Sequence, residues 1–251
     1  MPDTMLRNRL RELSDRCENS GIYTYTEFLG LNEIAEFREM ERSLCPCMLY
    51  GGMAGAERMI ARFGTEEMLG YGEQFPIALL KVMPKSPKFA GQIEHRDVLG
   101  TIMSLGIRRS MIGDIMLEET TAYVFCLDGI APYLVENLTR IRHTDVICKL
   151  CEGLPDGLVQ QAETIRLTVS SERADLIMAK LLHLSREKTK ELFEAERVFI
   201  DGKTCLNAGK VLQEGNSVTI RGFGRFVFLG TGGKTKKGKD AVTLEVYGIH
   251  A

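Results

Sequence analysis

No stretch of this chain approaches the ~20 consecutive apolar residues that a membrane-spanning helix needs. The amino-terminal Met1-Pro-Asp-Thr-Met-Leu-Arg7 has no apolar core of signal-peptide length. Neither sign of charge is in large excess. Lys and Arg number 32 against 34 Asp and Glu, a net of −2, which argues against a nonspecific polyanion binder. The seven cysteines are odd in number and scattered, which excludes the dense disulfide framework of a small secreted fold and favours free thiols. A Walker loop, a dinucleotide-binding glycine fingerprint and a Gly-x-Ser-x-Gly nucleophile elbow are all missing, so no cofactor is implied. There is no internal repeat of solenoid length. These absences lead us to expect a soluble cytoplasmic protein with no membrane partner.

What is present is ordinary in sum and uneven in distribution. The 251 residues suffice for two or three small domains, with 44% hydrophobic and 26% charged residues. Residues 171–251 carry 14 Lys and Arg against 10 Asp and Glu, a net of +4. Residues 1–170 carry 18 against 24, a net of −6. One polyanion-binding domain on an acidic body fits that division.

Three segments follow from periodicity, and together they give an α+β fold. Residues 1–72 read as a mostly helical amino-terminal domain. Leu6, Leu10, Leu13 and Cys17 recur at helical spacing, as do Ile34, Phe37 and Met40 in a helix from Asn32 to Glu41. A third short helix is expected at Ala56–Phe63, after the Gly51-Gly52 break. Residues 73–152 read as β-α-β-β-α-β, the order of a ferredoxin-like, RRM-like unit. Its strands are expected at Phe75–Met83, Ile112–Leu117, Ala122–Leu127 and Asp145–Cys151. Its helices are expected at Glu94–Leu105, capped by Gly106, and at Ile130–Ile141. A linker at Gly153–Gly157 leads to a third domain, residues 165–251. There two short helices, Ser171–Leu182 and Leu184–Arg197, feed a small sheet around an Asp201-Gly202 turn and end on a basic tail, Gly233–Lys239.

Several local motifs fail on register. His95-Arg96-Asp97 imitates a kinase catalytic loop, but Ile102 stands where the metal-binding Asn is required. Glu94 and Asp97 are better read as favouring the positive end of a helix. Cys45-Pro46-Cys47 has one intervening residue and no second ligand pair, and Cys148 and Cys151 lie on a strand, not at a helix start, so neither pair implies metal or redox work. Arg221-Gly-Phe-Gly-Arg-Phe226 imitates the RRM consensus strand, but Arg225 spoils the register and the motif lies outside the β-α-β-β-α-β unit. Packing beneath the sheet is the expected use of Phe223 and Phe226, with base stacking the alternative. Tyr123 and Phe125 are not expected to stack bases on the exposed face of the middle sheet. Gly230-Thr-Gly-Gly233 follows a strand and leads into Lys234-Thr-Lys-Lys237, which reads as a flexible basic loop and not a helix.

The cations of the third domain form the candidate site. Arg173, Lys180, Arg186, Lys188 and Lys190 flank the apolar helix faces (Ala174, Ile177, Leu181, Leu184; Leu192, Phe193), and Ser185 is placed to cap the second helix. Arg197, Lys203, Arg221, Arg225, Lys234, Lys236 and Lys237 extend the set. Phosphates attract such a patch through Coulomb interaction and counterion release, whatever the base sequence. Arg108 and Arg109, after the first helix of the middle unit, are candidates for an auxiliary phosphate contact. If instead Arg173, Arg186, Lys190 and Arg225 pair with Glu172, Glu187 or Glu194, they are surface salt bridges of little energetic weight.

The third domain resembles the RNA-binding module named after ribosomal protein S-four, the αL-type domain. The whole chain resembles the YlmH family of bacterial and chloroplast proteins. Four stretches carry that resemblance: Gly51-Gly-Met-Ala-Gly-Ala-Glu-Arg58; His95-Arg-Asp-Val-Leu-Gly100; Leu105-Gly-Ile-Arg-Arg-Ser-Met-Ile-Gly-Asp114; and Arg221-Gly-Phe-Gly-Arg225 with Lys234-Thr-Lys-Lys-Gly238. The module's Arg-Leu-Asp start is matched by Arg173-Ala174-Asp175, and its Ser-Arg by Ser185-Arg186. Its Gly-x-Val-x-Val-Asn-Gly run is matched by Glu196 to Gly202, with Glu196 in place of glycine and Asp201 in place of asparagine. Each departure sets a carboxylate where phosphates approach, although Asp-Gly still supports a tight turn.

The resemblance implies a non-enzymatic, monomeric RNA-binding protein of the ribosomal large subunit. Its partners would be rRNA, with tRNA a further candidate, and its process would be ribosome-associated quality control or one linked to cell division. Two other classes compete. An RNA-modifying enzyme with an S-four appendage would need a catalytic or cofactor motif in residues 1–170, and none is recognisable. A protein-interaction adaptor would sediment with ribosomes independently of intact RNA.

Overall fold

The structure, a computed structural model, describes residues 2–86, 91, 93–155, 158, 163–234 and 238–248. It divides into two compact units, Met1–Val159 and Gln160–Ala251. Its strand pairings, all antiparallel, build three sheets.

Unit 1 opens with helix α1 (Pro2–Ser20), strand β1 (Thr24–Tyr25) and helix α2 (Leu31–Met40). The helical spacing of Leu10, Leu13 and Cys17, and of Ile34, Phe37 and Met40, buries one face of each helix, as expected. The expected third helix at Ala56–Phe63 is instead strand β3 (Ile60–Phe63), flanked by β1 and β2 (Cys47–Tyr50) in a three-stranded sheet. Helices still hold most of the ordered residues of this segment, and a strand replaces the third helix because these positions serve two cores with period two. Ala61 and Phe63 enter the core under α1 and α2, whereas Ile60 points into a different cluster. A short helix α3 (Glu66–Leu69), capped by Thr65, leads into the next sheet.

That sheet has the expected β-α-β-β-α-β order: β4 (Ile77–Pro84), α4 (His95–Ser104), β5 (Ile112–Glu118), β6 (Thr121–Leu127), α5 (Ala131–Asn137) and β8 (Thr144–Cys151). The spatial order is β5-β6-β4-β8, and β7 (Arg140–Ile141) adds a fifth strand at the β8 edge. The backbone N–H of Glu94 donates to Asp97 at 3.1 Å, which fixes the start of α4, and Gly106 follows its end at φ +84°. Helix α5 stops well short of the expected Ile141. Leu138 leaves the helical region, and Ile141 joins the core through β7 before Arg142, at φ +54°, reverses the chain.

One face of this sheet packs on α4 and α5 through Leu80, Val82, Val124, Cys126, Val98, Ile102 and Leu134. The centre of the opposite face is not exposed, contrary to expectation. Tyr123 and Phe125 are 1% and 3% accessible, because Phe28 and Ile60 from the amino-terminal segment lie on them together with Leu79. Close approach here is licensed by glycine. A Cβ on Gly113 would stand 2.7 Å and 2.9 Å from ring atoms of Phe28, and one on Gly52, at φ +95°, would strike the Phe125 ring.

Unit 2 comprises β9 (Glu163–Val169), α6 (Ala174–Leu181), α7 (Arg186–Glu194), β10 (Val198–Ile200), β11 (Lys203–Thr204), β12 (Ser217–Ile220), β13 (Gly224–Lys234) and β14 (Asp240–Tyr247). The sheet is larger than expected, six strands in the order β11-β10-β12-β13-β14-β9. Ile177, Met178, Leu181 and Phe193 of the helices pack on Val218, Ile220, Phe226, Phe228 and Leu244. Gly230–Lys234 belongs to strand β13, and register shifts beside Gly230 and before Lys234 let β13 bend while it stays paired with β14. The expected basic tail is followed by strand β14, and residues 235–237 of that basic run lie outside the described residues.

The glycine packing yields a signed test. Gly113→Ala should destabilise the protein by about 1–3 kcal/mol, because Phe28 has to give way. Gly100→Ala, at an exposed position of α4 where a Cβ meets nothing within 4 Å, should stabilise it by about 0.5–1 kcal/mol. Urea denaturation of both variants checks the pair. Equal effects would mean that Phe28 does not seat against β5.

Candidate nucleic-acid interface

The helix pair of unit 2 is set by its caps. Arg173, in extended conformation, precedes α6, and His183, at φ +52°, reverses the chain between the helices. Ser185 caps α7: its Oγ accepts from the backbone N–H of Lys188 at 3.2 Å, as the sequence led us to expect. Helix α7 ends in a Schellman arrangement. The N–H of Arg197 reaches the Leu192 carbonyl at 2.9 Å, and that of Glu196 reaches the Phe193 carbonyl at 3.1 Å. Glu196 thus stands at φ +55°, where glycine is the unstrained residue.

The candidate cations fall into two groups. Lys180, Arg186, Lys188 and Lys190 are exposed on α6 and α7 and make no ion pair among the described residues. Arg186 and Lys190 share a helix face at i, i+4. The arginines outside these helices are engaged. Nε and Nη2 of Arg173 donate to the two oxygens of buried Asp175 at 3.0 Å and 2.8 Å, and this hydrogen-bonded carboxylate raises the arginine's pKa further. Its partner is therefore neither Glu172, which accepts from the Thr231 hydroxyl, nor a phosphate alone. Arg197 donates through Nε and Nη2 to the Arg221 carbonyl at 3.2 Å and 2.6 Å, so it holds the Arg221–Gly224 turn. Arg221 lies 4.5 Å over Phe199, and half-buried Arg225 lies 4.3 Å over Tyr247. Lys203 is exposed in β11. Lys236 and Lys237 lie outside the described residues, as does the side chain of Lys234.

Of the two family departures, Asp201 is locally satisfied. Asp201 and Gly202 both take positive φ, +52° and +80°, in the two-residue loop between β10 and β11, which is the geometry of a type I′ turn. The Asp201 carboxylate accepts from Asn216 Nδ2 at 2.7 Å and from the Ser217 N–H at 2.8 Å, so it ties the turn to β12. Phe226 is fully buried in the core, which removes it from base stacking. Phe223 is half-buried against the same core, with Arg197 5.6 Å from its ring.

In unit 1 two of the family stretches meet. The carboxylate of Asp114 accepts from the backbone N–H groups of Glu57 at 2.7 Å and Arg58 at 3.2 Å. Arg58 in turn donates to the carbonyls of Ile112 at 3.0 Å and Phe28 at 2.8 Å. Arg109 donates to the Ile112 carbonyl at 2.6 Å, and burial, then the nearby Arg58, pushes its pKa down to about 10. Burial also pushes the Asp114 carboxyl up, against the pull of its two N–H donors. Arg108 pairs with Glu27. Arg108 is thus engaged in joining the amino-terminal segment to the sheet, and Arg109 in holding the backbone at the start of β5. Arg58 and Asp114 were visible in the sequence only as motif letters.

Cys148 and Cys151 are separated by the strand period, whereas Cys45 and Cys47 share one core. Cys148 enters the core under the helices, whereas Cys151 packs on the opposite face of β8. Burial raises the thiol pKa of Cys17 and Cys148 to about 11 and of Cys126 to about 12. At pH 8 these three should resist a charged thiol reagent in the native protein and react once urea is added. Fast native labelling of Cys126 would mean that the sheet core opens. At the end of α7, Glu196→Gly should raise stability by about 1 kcal/mol by relieving the left-handed strain. A lowered urea midpoint would contradict that.

Residues 71–152 match the family model described as "Putative RNA-binding domain in YlmH". Over 199 residues the chain is 30% identical to the ribosome-associated protein quality control protein P2 of Bacillus subtilis (strain 168), a span of 78% of this chain and 76% of that protein. The solved structure of the cell division protein ylmH from Streptococcus pneumoniae superposes with a TM-score of 0.50, at 18% identity, on 60% of this chain and 92% of its own, which is a likeness of fold. Identity extending over three quarters of both proteins, together with the matched RNA-binding domain, establishes that this chain belongs to the YlmH family.

Proposed function

We propose that the protein is a non-enzymatic RNA-binding factor of the ribosomal large subunit. Unit 2 acts in it as an S-four-type module, and the ferredoxin-like sheet of unit 1 is part of its body. The observation that carries this reading is the α7 surface. Arg186, Lys188 and Lys190 stand exposed and, among the described residues, without ion pairs beside a helix start capped by Ser185, where backbone N–H groups and a guanidinium can hold one phosphate. The order of two short helices followed by a sheet turning at Asp201-Gly202 supports the module assignment. Arg173, Arg197, Arg221 and Arg225 shape the module, and the free cations on α6 and α7 face the RNA.

A ribosomal setting is supported by the B. subtilis relative, whose name assigns it to ribosome-associated quality control. We infer that this protein works in the same process, on rRNA and tRNA, in the cytoplasm and as a monomer. A non-enzymatic role is supported by the use made of three titratable groups that burial displaces. Arg109, Asp114 and Cys126 serve packing and backbone contacts instead of converging on an open cleft. No helix among the described residues is long and apolar enough to cross a membrane.

The test is the salt dependence of binding to a structured rRNA hairpin. Arg186→Ala should weaken affinity without changing base preference and flatten the slope of log affinity against log salt by roughly one unit. Arg173→Ala should instead cost stability, because Asp175 is left buried without its partner. An unchanged slope for Arg186→Ala would put the RNA on another face. Co-sedimentation with ribosomal particles that withstands nuclease would favour a protein adaptor.

A further inference from the structure

Beside the covered part of the middle sheet, unit 1 has an open cleft of about 780 Å³. Its lining includes Tyr50, Arg62, Phe75, Leu79, Phe125 and Leu150. The cleft is built from aromatic rings around a cation. The Arg62 guanidinium sits between the rings of Tyr23 at 4.9 Å and Phe75 at 4.8 Å, and its Nη1 donates to the Glu73 carbonyl at 2.6 Å. Tyr50 packs against Phe75 with centroids 5.2 Å apart. Its hydroxyl is tied to the Gly52 carbonyl at 2.8 Å, yet the residue remains 42% accessible, so an oriented ring is presented to solvent.

A second observation lies on the same sheet face. Lys81 of β4 and Lys149 of β8 are direct cross-strand partners, and neither has an ion pair among the described residues. Like charges directly opposed destabilise an antiparallel pair unless an anion bridges them. Lys81 lies 5.5 Å over the Tyr123 ring, which partly offsets that cost. By strand periodicity the lysine pair is one step along from Leu79 and Cys151, which are also cross-strand partners and line the cleft. Two residues of strand span roughly 7 Å. The charges inside the cleft decide what enters it. Glu73, whose carboxylate accepts from the Tyr25 hydroxyl at 2.8 Å, and Glu152 oppose a phosphate there, whereas the exposed ring and the amide of Gln74 suit an uncharged planar group.

We propose that unit 1 binds single-stranded RNA, with an unpaired base stacked on Tyr50 in the cleft and a neighbouring phosphate held by Lys81 and Lys149. This deepens the reading of the chain as an RNA-binding factor and rests on it, but the surface is separate from α7. Stacking on an aromatic ring tolerates any base, so the cleft selects for lack of pairing and not for sequence.

The experiment uses the full chain and a hexameric oligoadenylate carrying 2-aminopurine at a central position. The wild-type protein should bind it and quench the 2-aminopurine emission. Tyr50→Ala should abolish the quench and weaken binding at least tenfold, and Tyr50→Phe should retain both. Lys149→Ala should flatten the salt slope by roughly 0.7 unit, the value for one contact to a single strand. Tyr50 and Lys149 are exposed, so the variants are expected to remain folded at the assay temperature, and their thermal melting separates binding from folding. Binding without quenching, or Tyr50→Ala and Lys149→Ala variants that bind like wild type, overturns the inference. Failure of the wild type to bind the hexamer while it still binds a structured rRNA hairpin overturns it too. Loss of both RNAs overturns the general reading as well.

Discussion

Unit 1 depends on one close approach, that of the amino-terminal segment to the second face of the middle sheet. Phe28 and Ile60 have to reach Tyr123 and Phe125, and the sheet permits it only because Gly113 and Gly52 present no side chain. The approach is then fixed by polar groups. Asp114 accepts two backbone N–H groups of the Glu57–Arg58 turn, and Arg58 spans back to the carbonyls of Phe28 and Ile112. Removing the packing would leave a half-buried guanidinium and a half-buried carboxylate without partners, so apolar and polar contacts stand or fall together.

This contact also decides which surfaces remain for RNA. A β-α-β-β-α-β sheet with a free face offers bases a flat platform, but here the central aromatics of that face are consumed by the protein's own chain. What stays open is the margin, where Tyr50 and Phe75 line a cleft one strand step from the β4–β8 lysines. In unit 2 a comparable sorting has taken place. The arginines near turns brace backbone or stack on aromatic rings, and the flexible cations of α6 and α7 stay in solvent.

Helices and their buried faces were legible in the sequence because their period repeats over ten residues or more, as for Leu10, Leu13 and Cys17. The middle sheet was legible for a similar reason, since each strand is a bounded apolar run. The amino-terminal sheet was not. Its strands are two to four residues long, and the direction of Ile60 is dictated by Phe125, far along the chain. Candidate cations were visible as residue types, but their availability was not. That Arg173 is engaged by Asp175 two residues later depends on the extended backbone ahead of α6, and the Arg108–Glu27 pair depends on the docked segment.

The docking of Phe28 and Ile60 has a consequence for biosynthesis. Their partners on β6 emerge from the ribosome about a hundred residues after Phe28 does, so the amino-terminal helices are made well before their sheet can be covered. Contacts of such sequence separation are slow to form, and until β6 is made the nascent chain displays an apolar strand with unpaired edges. Unit 1 is therefore expected to close late and in one step, once β4, β5 and β6 have assembled. Chain synthesis that halts before residue 127 would leave an aggregation-prone fragment, not a smaller folded domain.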